Sequence, residues 1–487
     1  MATNASSFNH SQNDTKELVD VVLVMVPFPA QGHLNPLLHI SRLFSSHNLQ
    51  IYYLSFRDKI NQVKLRVQGW DPLTTCNIHF QEFQTPPSHE ISRRFSGKSS
   101  ENNKSQKILL PAIDESLMLR EPVGAFLLEV ARKTRRVVVV YDSLMAYVVQ
   151  DIVSIPNAEA YCYNGASAFT ISSIYWDVAL RVLHLPSFVG KLLIPSGFGF
   201  PNDLPSQQSS FIPEFQDFIR MQNSCGSSFC SGNLYSTCKV VEEPYLNVLA
   251  KFNRLLRQGK QWAFGPLHPV DLSERKCSNN RHDCLKWLDK QEPNSVILVS
   301  FGTTCSLSTE QIKELAIGLE KSQQKFIWVV RDALLREGEQ VKVQEEDEER
   351  VKGRGLIVKD WAPQLEILGH SSTGGFMSHC GWNSCMETIS MGVPIATWPM
   401  FLDQPRNAVL LTKVLKIGVV VKDWERRDEL ITRTTIEASV RKLMASPEGN
   451  EIRLRARELG EKVRQSVTND GDSKREMDLF IAHITRN

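Results

Sequence analysis

The stretch VDVVLVMVP at residues 19–27 is a nearly continuous run of apolar residues, most of them β-branched, that ends at a proline. A helical pattern of apolar residues follows it from Leu37 onward. A short buried run that leads into a helix is typical of a parallel strand covered by helices on both faces. The chain is therefore expected to open with a β-α unit of an α/β domain.

Similar apolar runs recur along the chain in two series. The first comprises LQIYYLSF (49–56), IHFQEF (78–83) and RVVVVYD (136–142). The second comprises SVILVSF (295–301), KFIWVVR (325–331), GLIVKD (355–360), GGFMSH (374–379) and PIATWPM (394–400). Strands that alternate with helix-length intervals indicate β-α-β winding. We therefore expect two doubly wound, Rossmann-like domains.

Chain length also indicates two domains, because 487 residues exceed what one hydrophobic core normally organises. Residues 259–283 combine glycine, proline and polar residues as an interdomain linker does. We place the boundary near residue 255, with a first domain over 1–254 and a second over 255–466. The amphipathic segment SKREMDLFIAHI (473–484) predicts a terminal helix, and we expect residues 467–487 to return to the first domain.

Composition narrows the class of protein. The chain has 56 basic and 54 acidic residues, a balance that argues against a nucleic-acid partner. The first twenty residues lack the apolar core of a secretion signal, and no run approaches the roughly 20 apolar residues of a transmembrane helix. Ten cysteines without a C-x-x-C pair match neither a disulfide framework nor common zinc spacing. A cytoplasmic protein is expected.

Residues 361–404, WAPQLEILGHSSTGGFMSHCGWNSCMETISMGVPIATWPMFLDQ, contain a strand, a tight turn and a helix that Gly392 ends. A helix that begins near Trp382 presents its first amides, with the side chains of His379, Asn383 and Ser384, to phosphate oxygens. A structural helix cap explains Asn383 and Ser384 equally well. The turn alone therefore leaves both interpretations open.

All 44 of these residues resemble, without a gap, the plant secondary product glycosyltransferase box of the UDP-glycosyltransferases. The resemblance implies a donor site in which Trp361 stacks on uracil, Glu387 accepts ribose hydroxyls, and Asp403 and Gln404 hold the sugar. It implies that Gln404 favours glucose over galactose, while xylose stays open. The implied donor-binding residues are Gly302 and Thr303 of the VSFGTT turn, Trp361, Gln364, His379, Trp382, Asn383, Ser384, Glu387, Asp403 and Gln404.

A base for sugar transfer is found in PFPAQGHLNPLL, which places His33 after the first strand, just before a helix. Transfer to a hydroxyl needs a base that works near neutral pH, and imidazole has a suitable pKa. Asp142 ends another strand of the same predicted sheet, so its carboxylate could orient the imidazole. Taken alone, the histidine could be structural and the aspartate a helix cap. The catalytic pair of the family matches these two positions.

Nearly the whole chain is similar to the zeatin O-glycosyltransferase branch, through strings such as FPAQGHLNPLLHISRL, CLKWLDKQEPNSVI and DQPRNAVLLTKVLKIGVVVKDW. The resemblance implies a monomer of the GT-B fold that inverts the sugar, needs no metal or other cofactor, and uses a UDP-sugar as co-substrate. It implies transfer of glucose to a hydroxyl of a small plant metabolite such as the cytokinin zeatin. Asn164, in YNGASAF, is a candidate acceptor contact. Phe401 and Leu402 depart from the branch, which often has a polar pair there.

Several alternatives remain beside this interpretation. The acceptor could be a flavonoid, a terpenoid or another phenolic, and the donor could be UDP-xylose. A dehydrogenase is disfavoured because no G-x-G-x-x-G follows an early strand. A metal-dependent transferase is disfavoured because the only D-x-D, Asp470 to Asp472, lies in a polar segment. A small-molecule receptor on the same fold would not need both His33 and Asp142.

Overall fold

The computed structural model describes residues 19–67, 70–87, 91, 93–95, 109–181, 199–272, 281–302, 307–330, 333–334, 340–341, 346, 349–350, 353–359 and 361–486. Two parallel sheets form its framework, each with helices packed on it. The two-domain α/β architecture predicted from the strand series is confirmed.

The first sheet has seven parallel strands in the order β3-β2-β1-β4-β5-β6-β7. They are β1 (Val19–Val26), β2 (Gln50–Phe56), β3 (Ile78–Phe83), β4 (Thr134–Asp142), β5 (Ala158–Asn164), β6 (Cys230–Tyr235) and β7 (Lys260–Ala263). Alternate residues of β1 enter different cores, because Leu23 and Met25 pack on one face while Val24 and Val26 pack on the other. A strand buried on both faces explains why β1 reads as a continuous apolar run.

The second sheet has six parallel strands in the order β12-β9-β8-β13-β14-β15. They are β8 (Val296–Ser300), β9 (Lys325–Val330), β12 (Gly355–Lys359), β13 (Thr373–Ser378), β14 (Ile395–Thr397) and β15 (Gly418–Val420); β10 (Ala333–Leu334) and β11 (Gln340–Val341) form a separate antiparallel pair. Strand order reverses direction at β8 and β13. Ligands of open α/β sheets bind at such a point, beyond the carboxyl ends of the strands.

The helices of the first half are α1 (Gln31–Ser45), α2 (Arg57–Arg66), α3 (Leu110–Leu117), α4 (Arg120–Ala131), α5 (Ala146–Val149), α6 (Ala168–Arg181), α7 (Gln207–Ser210), α8 (Pro213–Gly226) and α9 (Lys239–Leu255). Those of the second half are α10 (Asp283–Leu288), α11 (Thr309–Ser322), α12 (Gln364–Leu368), α13 (Trp382–Met391), α14 (Gln404–Val409), α15 (Arg433–Ala445), α16 (Pro447–Ser466) and α17 (Asp472–Ile484). No helix among these described residues is long and apolar enough to cross a membrane.

Helix α1 begins earlier than the sequence pattern suggests. The pattern predicts a helix from Leu37, after Pro36, whereas α1 begins at Gln31 and contains Pro36. A proline inside a helix lacks the N–H that would bond the carbonyl four residues before it, here that of Gly32. His33 therefore lies in the first turn of the helix, and the carbonyl of Gly32 has no partner within it.

The boundary between the sheets lies later than predicted. Residue 255 was the expected boundary, but β7 pairs in parallel with β6 and belongs to the first sheet. The strand is an edge strand of only four residues, KQWA, beside Gly259 and Pro266, so its local pattern is that of a linker. The first sheet therefore extends to Ala263.

The last helix, α17, packs against the first sheet. Phe480 is fully buried, and its ring centroid lies 5.0 Å from that of Trp262 and 5.5 Å from that of Phe44. At its start, the hydroxyl of Ser473 donates to the carbonyl of Gly265 at 2.8 Å. The C-terminal helix thus buries its apolar face in the core of the N-terminal half.

Candidate active site

His33 and Asp142 meet at the carboxyl ends of neighbouring strands. Strand β1, which leads into α1, pairs with β4, which Asp142 ends. Nδ1 of His33 lies 2.8 Å from Oδ2 of Asp142, and Oδ1 of the same carboxylate accepts the amide of Leu144 at 2.9 Å. Because a carboxylate only accepts, Nδ1 of His33 carries the proton. In the neutral imidazole, Nε2 is then free to accept a proton from a substrate.

The surroundings of His33 determine its basicity. Burial lowers the pKa of the imidazole, but the charge of Asp142 and its hydrogen bond outweigh burial, and Asp403 acts in the same direction. The pKa of His33 therefore lies above its ordinary value. The Asp142 side chain is fully buried, whereas about a third of the His33 side chain is exposed. The pair has a fixed inner member and an accessible outer one.

A second histidine, His379, lies in the turn between β13 and α13. A Cβ atom on Gly302 would lie 2.7 Å from its Nε2, and one on Gly381 would lie 2.6 Å away, so both neighbours must be glycine. Burial lowers the pKa of His379 to about 4, which keeps the ring neutral. Among the described residues its buried Nδ1 has no hydrogen-bond partner. An unpaired buried ring nitrogen beside a helix N-terminus is suited to donate to a phosphate oxygen.

Helix α13 points its N-terminus into the cleft between the domains. Its first amides have no partners within the helix and can bind an anion. The side-chain amide of Asn383 donates to the carbonyl of Gly32 in the first domain at 2.7 Å. The indole of Trp382 points into the domain interface, where its Nε1 donates to the carbonyl of Ser236 at 2.7 Å. Trp382 thus presents its backbone amide at the N-terminus of α13 and its side chain at the domain interface.

Gln364 connects the start of α12 to the inner side of α13. Its amide donates to Ser384 at 2.9 Å and to Oε2 of Glu387 at 2.6 Å. Burial raises the pKa of Glu387 to about 7, and the bond from Gln364 opposes this rise. Glu387 and Asn383 border a cavity of about 50 Å³ between the domains. Trp361, three residues before the start of α12, is half-buried, with its ring centroid 6.1 Å from that of His282.

Asp403 and Gln404 lie at the start of α14, beyond the end of β14. Oδ2 of Asp403 accepts the amide of Asn407 at 2.8 Å, and burial raises the pKa of this carboxyl group. Oε1 of Gln404 accepts the backbone amides of Met400 and Phe401 at 2.9 and 3.1 Å. The amide nitrogen of Gln404 is therefore the end of its side chain that is left to contact a ligand.

Two family models match the chain in succession. The model described as "Glycosyltransferase, N-terminal domain" matches residues 19–269, and that described as "UDP-glucoronosyl and UDP-glucosyl transferase" matches residues 258–451. The zeatin O-xylosyltransferase of Phaseolus vulgaris is 46% identical over 96% of this chain and 98% of its own length. The chain belongs to the UDP-glycosyltransferase family.

Other relatives and solved structures are similar to this glycosyltransferase over nearly its whole length. The zeatin O-glucosyltransferase of Phaseolus lunatus is 45% identical and covers 100% of both chains. Solved structures of similar fold include Glycyrrhiza uralensis UGT73P12 complexed with glycyrrhetinic acid 3-O-monoglucuronide, with 25% identity, a TM-score of 0.74 and 96% coverage of each chain. A ugt transferase from Siraitia grosvenorii in complex with UDP has 25% identity and a TM-score of 0.72, and covers 96% of this chain and 100% of its own. The GT-B fold and the UDP-sugar transferase class predicted from the sequence are confirmed.

Two of the predicted site residues of the glycosyltransferase need separate comment. Thr303 lies outside the described residues. Asn164 ends β5, and its amide makes long bonds to groups of β5 and β6, among them Oδ1 of Asn233 at 3.3 Å. The structure therefore directs this side chain toward the neighbouring strand of its own sheet.

Sequence reasoning missed several residues of the cleft. Gly32, Gly381 and Asn407 belong to the site through their contacts with Asn383, His379 and Asp403. Gly381 carried a usable signal, since a glycine that follows a strand and precedes a helix marks a close backbone approach. The contact of Gly32 with Asn383 joins residues 351 positions apart, and Asn407, although only four residues after Asp403, lies beyond the end of the box.

The residues that depart from the branch also lie at this cleft. Phe401 is buried, and Leu402 packs against an aromatic cluster of the first domain that includes Phe28, Phe95 and Phe218. The ring of Phe28 lies 5.2 Å from that of His33. Leu402 thus packs against the same hydrophobic core to which Phe28 belongs, and its amide donates to the carbonyl of Ser210 at 3.0 Å. Among the described residues, no group of three or more His, Cys, Asp or Glu side chains could hold a metal ion.

Proposed function

We propose that this glycosyltransferase moves glucose from UDP-glucose to a hydroxyl of a small plant metabolite of the zeatin type, with inversion at the anomeric carbon. The observation that carries the proposal is the 2.8 Å contact between His33 and Asp142 in a cleft whose opposite wall is the N-terminus of α13. A base on one wall and an anion site on the other suit displacement of a diphosphate by a hydroxyl.

The proposed reaction is a single displacement. Nε2 of His33 removes the proton of the acceptor hydroxyl while its oxygen attacks the anomeric carbon. The bond from that carbon to the diphosphate oxygen breaks, and its electron pair leaves with UDP. Asp142 stabilises the imidazolium that forms. Attack from the side opposite the leaving group inverts the configuration, so an α-linked donor sugar yields a β-linked product.

The leaving group would be stabilised without a metal ion. Negative charge grows on the diphosphate as the bond breaks, and donors already oriented toward it lower the barrier. The first amides of α13, the Nδ1 of His379 and the hydroxyl of Ser384 are the candidate donors. His379 is neutral, so it would act through a hydrogen bond. Removal of divalent cations with EDTA should therefore leave the rate unchanged.

Different residues of the segment 361–404 are proposed to bind different parts of the donor. The indole of Trp361 stacks on uracil, Gln364 and Glu387 hold the ribose, and Asp403 with the amide nitrogen of Gln404 holds the sugar hydroxyls. Gly302 and, from the resemblance alone, Thr303 lie beside the phosphates. A hydroxymethyl group distinguishes glucose from xylose. UDP-xylose is kept as a second donor because the Phaseolus vulgaris relative is a zeatin O-xylosyltransferase.

Zeatin is the proposed acceptor because relatives with 45–46% identity over nearly the whole chain carry that name. Its flat purine and its isoprenoid side chain, which carries the acceptor hydroxyl, also suit a site where the ring of Phe28 lies beside His33. Flavonoids, terpenoids and other phenolics are the alternative acceptors. A cytoplasmic location and a monomeric state remain predictions.

The test is a mass-spectrometric screen of zeatin, flavonoids, terpenoids and simple phenols against UDP-glucose and UDP-xylose. We expect one conjugate of zeatin whose mass corresponds to one hexose, with release of one UDP per conjugate. A conjugate whose mass corresponds to one pentose would show that the donor sugar is xylose and not glucose. UDP release that never exceeds background with any acceptor would favour a receptor. His33→Ala is the control, because it should abolish transfer while UDP-glucose still binds.

A further inference from the structure

Asn407 lies at a junction between the two domains. It is fully buried in α14, one helical turn after Asp403. Its side-chain nitrogen donates to Oδ2 of Asp403 at 2.8 Å and to the carbonyl of Cys380 at 3.0 Å. Its oxygen accepts the hydroxyls of Ser167 at 2.7 Å and Thr170 at 3.1 Å. One amide thus has all its donor and acceptor positions filled.

The orientation of this amide is determined by its partners. The carboxylate of Asp403 and the carbonyl of Cys380 can only accept, so the nitrogen of Asn407 must face them. Its oxygen must then face the hydroxyls of Ser167 and Thr170. A rotation of the amide by half a turn would break the bonds to Asp403 and Cys380 and would place the amide oxygen against these two acceptors, so the amide is held in one orientation.

The four partners belong to three different parts of the cleft. Asp403 is the proposed sugar-binding carboxylate, and Cys380 lies between His379 and Gly381 in the phosphate turn with a positive φ of 66°. Ser167 and Thr170 lie at the start of α6 in the first domain. Asn407 therefore connects the donor-sugar loop, the donor-phosphate turn and the domain that carries His33.

The adjacent residue strengthens the same contact between domains. Arg406 is buried, and its guanidinium contacts Asp177 and the hydroxyl of Ser173, both on α6, at 2.5 Å. Its Nε also donates to the carbonyl of Pro205 at 3.1 Å. A buried, paired arginine resists separation of α6 and α14, because breaking the pair would leave a charge without a partner.

We propose that Asn407 is a positioning residue that holds the Asp403 carboxylate ready for the donor sugar through contact with Ser167 and Thr170 of the first domain. The inference rests on the proposed function, since it assigns the sugar hydroxyls to Asp403. It adds that binding of the sugar, but not of UDP, depends on the contact between Asn407 and the first domain.

Without Asn407, Asp403 loses the hydrogen bond that fixes its carboxylate. Burial already raises the pKa of this carboxyl group, and the hydrogen bond from Asn407 is the interaction that most opposes the rise. Without that bond the carboxylate is both free to rotate and more easily protonated. Either change weakens its acceptance of sugar hydroxyls. The bond to the carbonyl of Cys380 is lost as well, but that carbonyl is not among the groups proposed to donate to the phosphates, and the proposed uracil and ribose contacts are elsewhere.

The experiment compares the affinities of UDP and UDP-glucose in Asn407→Ala by calorimetry, with no acceptor present. We expect the Kd of UDP to stay within about twofold and that of UDP-glucose to rise about tenfold, the effect of one lost charge-assisted hydrogen bond. We also expect kcat to fall with added zeatin. Equal weakening of both ligands would show a merely structural role, and no weakening of either would equally overturn the proposal.

A second variant keeps the proposal testable if Asn407→Ala folds poorly. Ser167→Ala with Thr170→Val removes the two hydroxyls from the other domain and should also raise the Kd of UDP-glucose relative to UDP. Combined with Asn407→Ala it should add little more, because both changes break one connection. Additive effects would contradict the connection.

The matched control is Asn253→Ala, which removes a buried asparagine that bonds Tyr235 and Gln261 inside the first domain. It should lower stability without changing the ratio of the two affinities. Failure of the proposed function can be distinguished from failure of the positioning role, because it would be seen in the wild-type protein. That protein would then bind UDP-glucose no better than an unrelated nucleotide, or would transfer no sugar.

Discussion

The side-chain amide of Asn383 and the carbonyl oxygen of Gly32 lie 2.7 Å apart and join the two domains one residue from His33. This bond is available because Pro36 has no N–H to offer the carbonyl of Gly32. The proline that shortens the hydrogen-bond ladder of α1 thus leaves an acceptor for the donor domain. The distance between the base and the anion site depends on this contact.

Asn383→Ala should lower kcat/KM for UDP-glucose about tenfold or more, because it removes a bond between the domains and a donor near the diphosphate. Steady-state kinetics with UDP-glucose varied at saturating acceptor measure the effect. Pro36→Ala is the matched variant, since it supplies an N–H that competes for Gly32 without touching the diphosphate. A smaller loss is expected there, and wild-type kinetics in both variants would contradict the role of the contact.

His33 and Asp142 predict how the rate depends on pH. The neutral imidazole is the proposed base, and Asp142 holds the pKa of His33 above its ordinary value. The rate should therefore rise with pH and level off once His33 has lost its proton. In Asp142→Asn the pKa falls, so the midpoint of the rise should move to lower pH while the plateau drops roughly 10²–10⁴-fold.

The measurement is kcat/KM from about pH 5 to 9, a range that covers the ordinary imidazole pKa. His33→Ala serves as the reference without a base and should show no such rise. A midpoint that stays in place in Asp142→Asn would mean that another group titrates.

Phe480→Ala tests the return of the C-terminal helix to the first domain. The ring is fully buried among Phe44, Tyr161, Trp262 and Phe264. Truncation of a buried phenylalanine costs about 3–5 kcal/mol of unfolding free energy. Urea unfolding measures the loss, and Leu479→Ala on the exposed face of the same helix should change it by less than about 0.5 kcal/mol.

Much of this fold can be predicted from local sequence patterns. Buried parallel strands need continuous apolar runs, which is why β1, β4 and β8 are evident without a structure. The end of helix α13 could also be predicted, because a glycine that follows a helical pattern commonly ends the helix. In the structure, Gly392 adopts the left-handed conformation of such a cap, with φ 72°. That His33 and Asp142 lie close together could be predicted from two strand ends in one sheet, whereas their proposed catalytic role came from the family resemblance.

The features that the sequence did not predict are a very short strand and contacts between residues far apart in the chain. Strand β7 has four residues at a sheet edge, too few for a pattern. Asn383 and Gly32 are 351 positions apart, and Asn407 and Ser167 are 240 apart, so nothing local marks their contacts. The domain interface forms only when both sheets are complete, and its hydrogen bonds are decided by how they pack.

Leu402 offers a test of the acceptor side. It has a positive φ of 57°, a conformation that costs a non-glycine residue about 1–2 kcal/mol, and it packs against the hydrophobic core of the first domain that includes Phe28, Phe95 and Phe218. Leu402→Gly removes this strain together with the apolar contact, which contributes at most about 1.5–3 kcal/mol. The two effects nearly cancel in stability.

They do not cancel in recognition, because the apolar contact lies near His33 and the strain does not involve a ligand. Leu402→Gly should therefore raise the KM for zeatin several-fold, change the KM for UDP-glucose little, and leave unfolding free energy within about 1–2 kcal/mol of wild type. Lys416→Gly is the control, since Lys416 is exposed and has a similar φ of 54° outside the cleft. It should leave both KM values unchanged. An unchanged KM for zeatin in Leu402→Gly would remove Leu402 from the acceptor site.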